Sequence, residues 1–255
     1  MKKNILMIMV AIFLIANSWA GTSFAMTPGE AQSVFIKAGF AYKDGKYDEA
    51  AKLYEQIVSG GWESGATYYN LGNSYFKKGQ LGYAVLNYER ASHLMPRDAD
   101  LKANARFALS ATTPLARLSD RPFWQAVLIK SIENFSDDEV VLAIFLLLIV
   151  LSGGHVAALY LSWPRQRVWP VGLLVASLMV FFLTAFVTRK DDEKDLAVVV
   201  KTTAARFEPK DTATVHFEVN DGEKVRIEQQ EGLWLKVERP DGKVGWIPGG
   251  SAVRI

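Results

Sequence analysis

The chain has 255 residues, half of them hydrophobic, with 29 Lys and Arg against 27 Asp and Glu, three His and no Cys. A net charge of +2 excludes a protein that holds a polyanion, nucleic acid included, by bulk charge. The lack of Cys excludes a disulfide framework, Cys-containing zinc sites, a thiol nucleophile and a lipid-modified N-terminal cysteine.

Residues 1–25 have the three parts of a secretory signal peptide. Lys2 and Lys3 form the basic region, Ile5 to Ile15 the apolar region, and Ser23-Phe24-Ala25 offers small residues before a cleavage site. Cleavage after Ala25 is the expectation, an uncleaved anchor helix the alternative; both export the segment from Met26 onward.

Residues 26–112 contain an internal repeat. Lys43-Asp44-Gly45-Lys46-Tyr47-Asp48-Glu49-Ala50 aligns with Lys77-Lys78-Gly79-Gln80-Leu81-Gly82-Tyr83-Ala84, and the same offset pairs Tyr54 with Tyr88. Helices are expected near 28–43, 47–59, 65–78, 81–95 and 98–111, with Thr27-Pro28-Gly29-Glu30 as a capping box. The last helix, with Leu101, Ala105, Phe107 and Ala108, would cover the open end of the stack. Tyr68, Leu71, Gly72, Tyr75, Ala84, Tyr88, Ala91 and Pro96 resemble the signature of the tetratricopeptide repeat family, which has this period. The first unit departs from it, with Ala38 at the signature glycine and Val34 at the first aromatic. The resemblance implies an all-α helical stack whose groove is lined by Phe35, Tyr42, Tyr69, Asn73 and Phe76. For Tyr42 and Phe76, packing between helices is an equal alternative. Phe35, Gly39 and Asp100 stand where some members carry a cationic clamp, so acidic tails are not the expected ligand.

Residues 113–136 suit an amphipathic juxtamembrane helix begun by Asp120 and Pro122. Trp124, Val127, Leu128, Ser131, Ile132 and Phe135 share one face, to lie on the membrane interface or against the stack. Two transmembrane helices come next, 139–162 and 168–188, each with an uncharged run long enough for about 30 Å of hydrocarbon. The loop 163–167 carries Arg165 and Arg167, whereas Asp137, Asp138 and Glu139 precede the pair and Asp191, Asp192 and Glu193 come after it. The loop is therefore expected in the cytoplasm, with the stack and the C-terminal part on the periplasmic side of an inner membrane. Trp163 and Trp169 suit the interface. His155, beside Gly153 and Gly154, is the one ionisable group within the uncharged runs Val140 to Leu161 and Val168 to Val187; close helix approach is its expected role.

After a linker at 189–195, residues 196–255 form short β-branched runs separated by Asn220-Asp221-Gly222 and Pro240-Asp241-Gly242. Five strands are expected: 197–201, 214–219, 223–229, 233–238 and 244–247. Gly232-Leu233-Trp234-Leu235-Lys236-Val237 and Asp241-Gly242-Lys243-Val244-Gly245-Trp246-Ile247 resemble bacterial SH3-like domains, which implies an all-β barrel that binds a partner. Trp246 is expected in its core and Trp234 at its binding surface.

His93, His155 and His216 lie in three different segments, and no catalytic or phosphate-binding motif occurs. No enzyme activity, cofactor or metal is expected. The order of modules, with Gly61-Trp62-Glu63-Ser64, Tyr68 to Lys77 and Tyr88-Glu89-Arg90-Ala91, resembles the BatE family of aerotolerance operons. That resemblance implies a membrane scaffold beside von Willebrand A-domain Bat proteins and a MoxR-type ATPase, in oxidative or envelope stress. The expected contacts for partners are Phe35, Tyr69, Asn73, Phe76 and Trp234. A peptidoglycan-binding envelope sensor and a small transport subunit using His155 are the rival readings.

Overall fold

The computed structural model describes residues 26–112, 123–160 and 165–255. The expected signal peptide, Asp120, Pro122 and Trp163 lie outside the described residues, as do the side chains of Arg165, Arg167, Asp191, Asp192 and Glu193.

Five helices form the N-terminal part: α1 (Pro28–Lys43), α2 (Tyr47–Ser59), α3 (Gly65–Lys77), α4 (Leu81–Leu94) and α5 (Ala99–Thr112). They begin and end where the sequence places its caps. The Thr27 hydroxyl accepts from the Glu30 N–H, and the Glu30 carboxylate accepts from the Thr27 N–H at 2.8 Å, closing the capping box on α1. Ser64 caps α3 by accepting from the Thr67 N–H at 3.1 Å. Gly45 and Gly79, equivalent in the repeat, both turn the chain at positive φ (77° and 74°), a conformation costly for any residue with a Cβ.

The core of this stack is made of small residues facing tyrosines. Ala38, Ala50, Ala84 and Ala91 are fully buried, and Tyr54 and Tyr88 fill the space they leave. Gly72 sits where α3 crosses α4: an added Cβ would lie 2.7 Å from the Tyr88 ring. Leu101 and Ala108 of α5 close the end of the stack, as expected.

α6 (Phe123–Ile132) packs on the hairpin formed by α7 (Asp137–Tyr160) and α8 (Arg165–Glu193). Its Leu128 and Ile132 meet Val140, Ala185, Phe182 and Phe186, while Trp124, Val127 and Phe135 stay exposed. The buried side of α6 thus faces α8 rather than the stack. Ser136 starts α7 with a second reciprocal cap, accepting from the Glu139 N–H at 3.3 Å. Segments Asp137–Ala157 and Trp169–Lys190 are long and apolar enough to cross a membrane, and only 6% of each is covered by the rest of the protein. A core helix of that composition would ordinarily be covered. One expectation fails here. Nothing lies within 4 Å of a Cβ built on Gly153 or Gly154, and His155 is exposed, so this trio points away from α8 and is not the helix contact.

The C-terminal part is a seven-stranded antiparallel sheet, β1 (Leu196–Val199), β2 (Thr203–Arg206), β3 (Val215–Val219), β4 (Lys224–Glu231), β5 (Trp234–Glu238), β6 (Val244–Pro248) and β7 (Ala252–Arg254), in the order β3-β2-β6-β5-β4-β1-β7. Five match the expected runs; β2 and β7 are additional. Ala197, Val199, Ala205, Val219, Val225, Val237 and Ile247 make its core. Trp246 is not among them, contrary to expectation. In β6 the inward positions are Gly245 and Ile247, and strand alternation turns Trp246 to the outer face.

Gly72→Ala tests the crossing of α3 and α4. The substitution improves helix propensity by up to about 1 kcal/mol. However, Tyr88 is buried and tethered through its hydroxyl, so overpacking at about 1–3 kcal/mol wins. The helical melting temperature of the full chain should fall; a rise would contradict this packing.

Candidate binding surfaces

The first surface runs across α1, α3 and α5. Phe35 packs edge-on against Tyr54, with ring centroids 5.5 Å apart, and is half-buried. Tyr69 and Asn73, one turn apart on α3, are joined by a third residue that the sequence does not single out. Asn104 of α5 donates to the Tyr69 hydroxyl at 2.9 Å and to Asn73 Oδ1 at 3.1 Å. The Tyr88 hydroxyl donates to the same Asn73 oxygen at 2.7 Å. Phe76 meets Phe107 of α5 edge-on at 5.7 Å, and Phe107 is 64% exposed. The structure therefore brings Tyr69, Asn73 and Phe76 together under α5, with Phe35 reaching them through Tyr54 and Tyr42. Asn73 holds a buried tyrosine as well as facing the surface. Phe107, expected only as part of the covering helix, offers the largest free aromatic face.

Burial pushes the hydroxyls of Tyr42, Tyr54 and Tyr88 above the usual phenol range, and neighbouring tyrosines reinforce the shift. Burial, then a hydrogen bond with Glu63, pushes Tyr68 up to about 12. The groups that meet along this surface are hydroxyl, amide and ring: Tyr69, Asn73, Asn104, Phe76 and Phe107.

The second surface lies on the sheet. Trp234 and Trp246 both sit half-buried on its outer face. Trp234 stands opposite Pro248, while Trp246 stands between Lys236 of β5 and Arg206 of β2. A separate open groove of about 500 Å³ at the β4–β5 turn end of the sheet is lined by Ile227, Leu233, Leu235, Pro248 and Ala252, with neither tryptophan in its wall. Leu233, at the tip of the β4–β5 turn, is 87% exposed. In the sequence Leu233 stands out only as a family match. Its exposure is explained by Gly232, whose positive φ turns the chain outward there.

Among the described residues, no group of three or more His, Asp or Glu side chains could hold a metal ion. His216 stacks on Phe207 with centroids 4.3 Å apart, a packing role.

Asn73→Ala leaves the buried Tyr88 hydroxyl without its acceptor and should destabilise the stack by about 1–3 kcal/mol in thermal denaturation, whereas Phe107→Ala should change stability by about 0.5 kcal/mol or less. Raised tyrosine values also fix the alkaline limit. A folded value above the unfolded 10 gives stability that is complete below about pH 10 and lost as pH rises through about 12 for Tyr68. Loss of helical signal should accompany the last part of the tyrosinate absorbance, that of the buried tyrosines; complete ionisation of all nine tyrosines near pH 10 with the fold intact would contradict the burial.

No curated protein matches the chain. Residues 199–251, about a fifth of the chain, match the family model of the bacterial SH3 domain, so the sheet that carries Trp234 and Leu233 is a bacterial SH3 domain.

Proposed function

We propose that the chain is a non-catalytic membrane scaffold of the bacterial envelope, anchored by the α7–α8 hairpin, with two extracytoplasmic binding surfaces. The observation that carries the reading is a bacterial SH3 domain joined by only two residues, Lys194 and Asp195, to a helix with an uncovered apolar span. Such a domain belongs to envelope-associated binding of protein or peptidoglycan. In this reading the helical stack is a short tetratricopeptide-type solenoid, supported by the equivalent glycine turns and the Gly72–Tyr88 crossing. The chain is then BatE-like, and its partners are membrane-bound von Willebrand A-domain proteins working with a MoxR-type ATPase in oxidative or envelope stress.

The aromatic character of the stack surface supports capture of an apolar partner segment through Phe107, Phe76 and Phe35. Full-length protein in detergent should retain a purified von Willebrand A-domain Bat protein, and Phe107→Ala should weaken capture at least tenfold while melting stays unchanged. Unchanged capture would refute the stack as the contact. The SH3 match favours a second reading, peptidoglycan binding through Trp234 and Leu233. Sedimentation with purified peptidoglycan, lost in Trp234→Ala, is its expected sign.

A further inference from the structure

The strand β1 is buried on both faces. Ala197 and Val199 point into the core of the sheet, but Val198, between them, is fully buried in the core of the helical stack. Val200, Val253 and Ile255 pack against that same helical core. A strand of a free-standing module would alternate buried and solvated positions; this one reads Leu196-Ala197-Val198-Val199-Val200 without interruption.

The partner surface is equally specific. Gly82 lies in the first turn of α4, and a Cβ built on it would stand 2.5 Å from the Val199 carbonyl oxygen and 3.2 Å from the Gly222 nitrogen. All three of its nearest atoms belong to the SH3 domain. Gln80, the N-cap of α4, makes no side-chain cap. The missing acceptor comes from the other module: the Gly82 N–H donates to the carboxylate of Asp221 at 3.3 Å. On the far side of the same turn, Gly222 abuts Thr112, at the end of α5, where an added Cβ would lie 2.3 Å from Thr112 Cγ2. The turn therefore wedges between the start of α4 and the end of α5. It is held in shape from within, because Asn220 donates to Glu223 at 2.9 Å and Glu223 is buried against Arg239. Lys224 pairs with Glu89 at 2.6 Å, and Arg90 donates to the Arg254 carbonyl at 3.3 Å, at the edge of the contact.

We propose that the turn Asn220–Gly222 and strand β1 form a docking face made for the helical stack of the same chain, with Asp221 supplying in trans the N-cap that α4 lacks. The SH3 domain is thereby a fixed part of the stack and not a module swinging on a linker. Two details agree with this. β1 begins two residues after α8, and Asp195 is already tied to the sheet by accepting from the Ile227 N–H at 2.7 Å, so no slack remains between the membrane helix and the dock. The docking face also uses β1, β7 and the β3–β4 turn, which leaves the outer tryptophans, Leu233 and the Phe107 surface free at the same time.

The test is hydrogen exchange on the full chain in detergent. The three atoms nearest the Cβ of Gly82→Ala all belong to the SH3 domain, and the substitution favours the helix, so it opposes the dock. Glu89→Lys and Lys224→Glu each place like charges across the contact, and the double swap restores the pair. Each single variant should raise exchange of 197–200, 220–224 and the first turn of α4 by about tenfold, with β5 and β6 unchanged, and the double swap should return it towards wild type. Unchanged exchange in all three single variants would overturn the proposal. Equal loss of protection in β5 and β6 would also overturn it, by making the contact part of the folding of the sheet itself.

Discussion

The arrangement depends on the closed mouth of the α7–α8 hairpin. Asp137, at the start of α7, faces Arg189 and Lys190, near the end of α8, and pairs with both. Arg189 is buried there and also donates to the carbonyls of Ile132 and Phe135, closing the end of α6. A buried charge held by a partner and two carbonyls is costly to expose alone, about 3–5 kcal/mol when the partner is removed. It fixes the two apolar helices antiparallel with their charged ends together. Only then do the stack, which precedes α7, and the SH3 domain, which comes after α8, emerge side by side.

The same constraint shapes the binding chemistry. The bulk net charge is small, and both exposed surfaces present rings and uncharged polar groups near scattered cations. In the proposed reading, recognition rests on desolvated aromatic area, where few residues carry most of the energy. The polar network of Tyr69, Asn73, Asn104 and Tyr88 serves mainly to hold Phe76 and Phe107 in place. A buried network fully satisfied in this way rigidifies a surface; it does not by itself select a ligand.

Much of the architecture is legible in the residues. The helices of the stack are readable because apolar spacing agrees with capping residues before α1 and α3 and with glycine turns before α2 and α4, and the long apolar helices because nothing interrupts them. Trp246 is misplaced when size is weighed above alternation: Leu235, Val237 and Ile247 already fix which face is inside. β2 escapes because Thr203-Ala204-Ala205-Arg206 carries almost no β-branched signal, and β7 because three residues have no period. Gly153 and Gly154 suggest a contact by composition, but composition does not say which way a helix face points. Asn104 and Phe107 enter the surface through the packing of α5, a long-range fact. The dock is visible only as a strand apolar on both faces; its partner, a glycine in the first turn of α4, has no local signature.

The central claim is that the stack and the SH3 domain lie on one side of the membrane. The chain has no native Cys, so single cysteines report cleanly. Exposed Lys37 in the stack, exposed Gln230 in the SH3 domain and Gln166, in the loop that the sequence leads one to expect at 163–167, are the positions to replace. In intact spheroplasts, a membrane-impermeant maleimide should label the cysteines at 37 and 230 and spare the one at 166 until the membrane is opened. Labelling of either 37 or 230 with protection of the other would contradict the hairpin, and with it the contact between the two modules.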